Sequence, residues 1–108
     1  MKKELDEFLK EVAKAPLLDR VEERKLLKAV QQKGTDCDEM RKLIECSGRH
    51  IISVANQYQD MGLSLMELID EARKGLVKVA MNYDIKSDIS FIYYAVWWMR
   101  QSIIQALG

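Results

Sequence analysis

One proline and five glycines in 108 residues leave this chain few places to break, and its apolar residues recur at helical spacing. Few breakers with a period near 3.6 predict an all-α protein, a compact bundle of four to five helices. The first helix, Lys2 to Lys14, sets Leu5, Phe8, Leu9 and Val12 on one face, and Ala15-Pro16 ends it because a residue before proline leaves the α region. Asp19 with Glu22 forms a capping box for the second helix, which buries Val21, Leu26, Leu27 and Val30 and stops at Gly34. A long third helix is expected from Asp36, capped reciprocally by Glu39, to Gln59, with an interruption at Ser47-Gly48 where a bend or break falls. Ser64 and Glu67 make another capping box, opening a fourth helix from Leu65 to Met81 with Leu65, Leu68, Ile69, Ala72, Leu76 and Val79 inward. Its other side carries charges from Glu67 to Lys78, by default a solvated face.

A polar connection, Asn82 to Ser90, leads to the fifth helix, S-F-I-Y-Y-A-V-W-W-M-R-Q-S-I-I-Q, with Ser90 as N-cap. This stretch holds both tryptophans and two of the four tyrosines of a chain only 7% aromatic. Tyr94, Trp97, Trp98 and Gln101 fall at i, i+3, i+4 and i+7, one continuous helical face. Ile92, Ala95, Met99 and Ile103 make an apolar seam beside it. The alternative is that every aromatic is core, but Arg100 and Gln101 follow the tryptophans at once, and such residues mostly face solvent.

A chain this long builds a single core, and 48% hydrophobic with 31% charged residues excludes a disordered one. With 17 basic and 17 acidic residues the net charge is zero, so a nucleic-acid partner has to be argued from local features. No apolar run reaches membrane-spanning length and the charged start, Met1-Lys2-Lys3-Glu4, is no secretory signal, so a cytoplasmic protein with no membrane partner is expected. Cys37, Cys46 and the only histidine, His50, lack metal-ligand spacing and fall short of four zinc donors; no metal and no cofactor are expected. No nucleophile and base pair, no G-x-S-x-G and no phosphate-cradling glycine loop occurs, and adjacent carboxylates such as Glu22-Glu23 or Asp70-Glu71 lie along helix surfaces rather than across a cleft. The chain does not read as an enzyme. It stops at Gly108, barely past its last apolar turn, as a domain cut from a longer chain would.

Five short motifs follow one another without gaps. They are P-L-L-D-x-x-E-E from Pro16, L-I-E-x-x-x-R from Leu43, Y-x-x-x-G-L-S from Tyr58, E-L-I-D-E-x-x-x-G-L-x-K from Glu67, and F-x-x-Y-A-x-W-W-x-R-Q-x-I from Phe91. In that order the chain resembles bacterial RNA polymerase sigma factors over their regions 1.2 to 2.4, the helical domain that holds and opens the promoter −10 element. The resemblance covers residues 16–108 as one domain and leaves residues 1–15 as an N-terminal helix outside it.

The resemblance implies that Tyr94 stacks on a flipped adenine of the −10 non-template strand, with Trp97 and Trp98 wedged at the upstream edge of the bubble. Extruding a base costs a few kcal/mol, which stacking on aromatic faces offsets at about 1–3 kcal/mol per base. Tyr83 and Asp84 stand where the family lines that pocket, Gln101 where it reads the last paired base, and Arg100 and Lys86 where phosphates pass. Glu67, Leu68, Asp70, Glu71, Arg73 and Lys74 fall on the helix that docks on the clamp coiled coil of the polymerase beta-prime subunit. An anti-sigma factor is a further partner the family allows.

The departures are local. Where the family usually has Y-R-R-G-Y-K-F-S-T-Y, this chain has Ile85-Lys86-Ser87-Asp88-Ile89-Ser90-Phe91-Ile92-Tyr93-Tyr94. An arginine, a tyrosine and the small S-T pair are gone, Asp88 adds a negative charge and Tyr93 replaces threonine. Each lost cation removes a phosphate contact. A divergent sigma factor that depends on polymerase for its DNA affinity is expected. The other reading is a sigma-like helical module that binds polymerase without productive promoter recognition.

Overall fold

A computed structural model describes residues 2–108. Among them there are six helices and no strand: α1 (Lys2–Lys14), α2 (Arg20–Lys33), α3 (Asp38–Cys46), α4 (Gly48–Asn56), α5 (Leu65–Asn82) and α6 (Phe91–Leu107). The all-α expectation holds, with one helix more because the expected long third helix is two. Ser47 divides them. Its backbone leaves the helical region at φ −94° and ψ 2°, and its N–H donates to Leu43 O at 3.0 Å while its carbonyl accepts from Ile51 N at 3.2 Å. One residue thus bonds to both helix ends, and α4 turns Ile51, Val54 and Ala55 onto the core. Gly48 is required there: a Cβ would lie 2.2 Å from Val12 Cγ2, where α1 crosses.

The caps separate into those local sequence determines and those it does not. Ser64 and Glu67 form the full reciprocal box, Glu67 N donating to Ser64 Oγ at 3.2 Å and Ser64 N to Glu67 Oε1 at 3.0 Å. For α2 only half the expected box forms, Asp19 Oδ1 accepting from Glu22 N at 2.8 Å. The reciprocal cap expected of Asp36 and Glu39 is absent: Cys37 stands at the N-cap without a side-chain bond, and Glu39 pairs with Lys33 instead. Ser90 occupies the N-cap of α6 but makes no capping bond. Val21, expected inside, is exposed, and Leu9 is partly so.

Helix α5 is the axis of the fold, packing against α2, α3, α4 and α6, with α6 its most extensive partner. Phe91, Ala95, Met99 and Ile103 of α6 are fully buried against it. Gly75 lets the two backbones meet, since a Cβ at that position would lie 2.7 Å from Trp98 O and 2.8 Å from Met99 Cα. The expected seam therefore exists, with Phe91 replacing the half-buried Ile92 as its first member.

Candidate nucleic-acid interface

The C-terminal end of α5, the loop 83–90 and the first turns of α6 enclose an open groove of about 670 Å³. Lys78, Val79 and Asn82 of α5, Tyr83, Asp84 and Ser87 of the loop, and Tyr94 and Trp98 of α6 line it. Four of the residues singled out in the sequence, Tyr83, Asp84, Tyr94 and Trp98, are thereby brought together.

The loop has no glycine to turn on, and side chains hold its shape instead. The Tyr83 hydroxyl donates to Ile89 O at 2.5 Å, spanning the loop. Asp84 Oδ1 accepts from Lys86 N at 3.0 Å, Ser87 N donates to Asp84 O at 2.9 Å, and Ile89 N donates to Ser87 Oγ at 3.1 Å. Asp84 thus makes a local turn of the Asx type. Behind it, Gln31 of α2 donates from Nε2 to Ala80 O at 3.0 Å and Tyr83 O at 2.8 Å, satisfying two carbonyls at the end of α5. No sequence signal pointed to Gln31; its partners lie some fifty residues away.

The aromatics form a chain of edge-to-face contacts. Tyr83 meets Phe91 at 5.7 Å and Tyr94 at 6.1 Å, Tyr93 meets Tyr94 at 6.3 Å, and Trp97 meets Trp98 at 5.0 Å between centroids. They are not equally exposed. Trp97 is 53% and Tyr94 37% accessible, whereas Trp98 is half-buried with Lys78 Nζ 4.4 Å above its ring. Lys78, expected on the solvated face of its helix, is exposed there and also stands over an indole at the groove wall. Arg100 and Gln101, expected to face solvent, are both half-buried, and Arg100 Nε is enclosed without a hydrogen-bond partner. Lys86 is exposed.

A second group occupies the N-terminal half of α5. Glu67, Asp70 and Lys74 are exposed, and Glu71 and Arg73 half-exposed. Leu68 does not belong with them: it is fully buried, because its position on the helix points inward with Ile69 and Ala72. Arg73 pairs with Asp70 at 3.7 Å and lies 5.6 Å over the Phe8 ring of α1, and Lys74 bonds Glu71 at 2.9 Å. Burial pushes the Asp70 carboxyl up, with Arg73 opposing, whereas the Ser64 N–H and hydroxyl hold Glu67 below the usual carboxylate range. Among the described residues no cluster of three His, Cys, Asp or Glu side chains could hold a metal, and no helix is long and apolar enough to cross a membrane.

Residues 43–108 match the family model described as Sigma-70 region 2. The chain is 37% identical over 101 residues to the RNA polymerase sigma factor SigA of Clostridium acetobutylicum, covering 94% of this chain and 26% of that protein. It is 34% identical over 101 residues to the SigA of a Bacillus species and 33% identical over 102 residues to that of Lactococcus lactis subsp. cremoris, with the same 94% of this chain covered. The chain therefore spans 26–28% of the length of these relatives.

Proposed function

Because the chain belongs to the Sigma-70 region 2 family, we propose that it is a transcription-initiation module that binds RNA polymerase core and recognises the promoter −10 element. In this reading it acts in the cytoplasm, without catalysis of its own. The polar half of α5, Glu67, Asp70, Glu71, Arg73 and Lys74, docks on the clamp coiled coil of the beta-prime subunit. The groove at the other end of the same helix takes a base of the −10 non-template strand, stacked on Tyr94 between Tyr83 and Trp98, while Trp97 abuts the paired DNA upstream. Promoter melting then follows from capture, since holding an unpaired base offsets the few kcal/mol of unstacking it.

The observation that carries this reading is the groove itself: an aromatic-walled opening with the amide of Asn82, the carboxylate of Asp84 and the hydroxyl of Ser87 at its edge suits the face and polar rim of a nucleobase. Docking and capture sites on one rigid helix, about 16 Å apart from Glu67 to Lys78 at 1.5 Å per residue, link polymerase binding to strand placement. The test is a low-salt titration of labelled −10 non-template oligonucleotides with and without polymerase core, scanning each base. Tyr94→Ala is expected to lower strand affinity about 5- to 150-fold, the range of one stacking contact, with core binding intact. Equal affinity in the variant would sink the proposal.

One observation favours the other reading, a sigma-like module that binds polymerase without productive DNA recognition. The loop 83–90 carries one cation, Lys86, against Asp84 and Asp88. Core binding with no gain in affinity for any −10 strand would select it.

A further inference from the structure

The most exposed aromatic of the molecule has no part in the face expected from sequence. Tyr93 is 70% accessible, against 53% for Trp97 and 37% for Tyr94. These three are the only exposed aromatics among the described residues, and all lie on the first two turns of α6; elsewhere the exposed large apolar side chains are aliphatic. Tyr93 touches the groove through Tyr94, which lines it and meets the Tyr93 ring edge-to-face at 6.3 Å. The patch is thus continuous with the groove and aromatic throughout. Around it the loop carries Asp84, Lys86 and Asp88, a poor partner for an anionic membrane surface.

We infer that Tyr93 is an additional base-stacking residue, holding an unpaired nucleotide of single-stranded DNA next to the one in the groove. The inference rests on the function proposed above and deepens it. The Tyr93 and Tyr94 rings lie 6.3 Å apart between centroids and nearly perpendicular, at 79°. The step between stacked bases of one DNA strand is about 3.4 Å. Rings spaced this way fit bases splayed apart on a stretched strand and do not fit a stacked duplex. Stacking at Tyr93 is also indifferent to base identity and to salt, unlike a phosphate contact. It adds affinity where the neighbouring loop has few cations to supply it.

High exposure makes the test clean, because a side chain that is mostly in water contributes little to folding. The full chain bound to polymerase core is titrated with labelled −10 non-template oligonucleotides at several salt concentrations, comparing wild type, Tyr93→Phe and Tyr93→Thr. Phe, which keeps the ring, is expected to bind within about 2-fold of wild type; Thr is expected to bind about 5- to 150-fold more weakly, the range of one stacking contact. The salt slope stays unchanged in both. An abasic site at the stacked nucleotide weakens wild type and leaves Tyr93→Thr unaffected. Wild-type affinity in Tyr93→Thr overturns the inference alone, as does a loss confined to core binding, which would make the patch a protein contact. If wild-type chain adds nothing to the strand binding of core, the inference and the proposed function fall together.

Discussion

At the scale of single residues, exposure divides the aromatics by what their loss does. Phe91 is fully buried under α5, and Phe91→Ala is expected to cost about 3–5 kcal/mol of stability. Trp97 is half in water, so Trp97→Ala is expected to change stability by no more than about 0.5–1 kcal/mol, judged by urea unfolding, while promoter opening is lost. A ring whose removal unfolds the chain would instead be core. Gln31 works at a distance: Gln31→Leu leaves Ala80 O and Tyr83 O without their donor, an expected loss of about 1–3 kcal/mol, with faster amide exchange in the loop 83–90. The tyrosines and tryptophans were legible as a group in the sequence, because their helical spacing is explicit. Which of them turns outward was not, since Trp98 packs under Lys78 of another helix while Tyr93, edge-on to Tyr94, is left 70% exposed.

At the scale of elements, the contact between α5 and α6 decides whether the groove exists. Gly75→Ala would improve helix propensity by about 1 kcal/mol in isolation. Here the new Cβ meets the backbone of Trp98 and Met99 at 2.7–2.8 Å, and no side chain can move to admit it. The expected result is net destabilisation with loss of strand binding; a variant as stable as wild type would show that α6 shifts freely. Glu67 and Asp70, two of the three carboxylates on the N-terminal half of α5, respond oppositely to acid. Glu67 has its folded pKa lowered by the Ser64 N–H and hydroxyl, so its stabilisation is complete above the unfolded value and is lost as pH falls through the folded one. Asp70 has its folded pKa raised by burial, so protonation relieves it and stability rises as pH falls through that value. Glu67→Gln should flatten the acid limb of a melting-temperature profile; Asp70→Asn should raise the melting temperature at pH 7, by a margin that shrinks toward acid. Capping at Ser64 was legible because donor and acceptor lie three residues apart, whereas Glu39 was drawn off to Lys33, which the helical pattern of α3 does not contain.

At the scale of the whole molecule, 17 basic and 17 acidic residues leave no net field to draw DNA in. In the proposed reading a single strand in the groove meets Lys78 on its wall and Lys86 exposed on the loop beside it, with Arg100 half-buried. Each phosphate contact contributes about 0.7 to the single-strand salt slope, so two to three contacts predict a slope of about −1.5 to −2. Titration of the chain across a salt series measures it, and a slope beyond about −4 would reveal cations recruited from elsewhere.

The linear pattern determined the helices, the caps at Asp19 and Ser64, the apolar seam of α6 and the aromatic content of its outer side, because each depends on residues within two turns of one another. The break at Ser47-Gly48 was also legible; tertiary structure alone decided the close approach at Gly75, the placing of Lys78 over Trp98 and the enclosure of Arg100 Nε. Periodicity specifies which side chains share a face. It does not specify which helix that face will meet, or at what distance, and the groove is formed by that meeting.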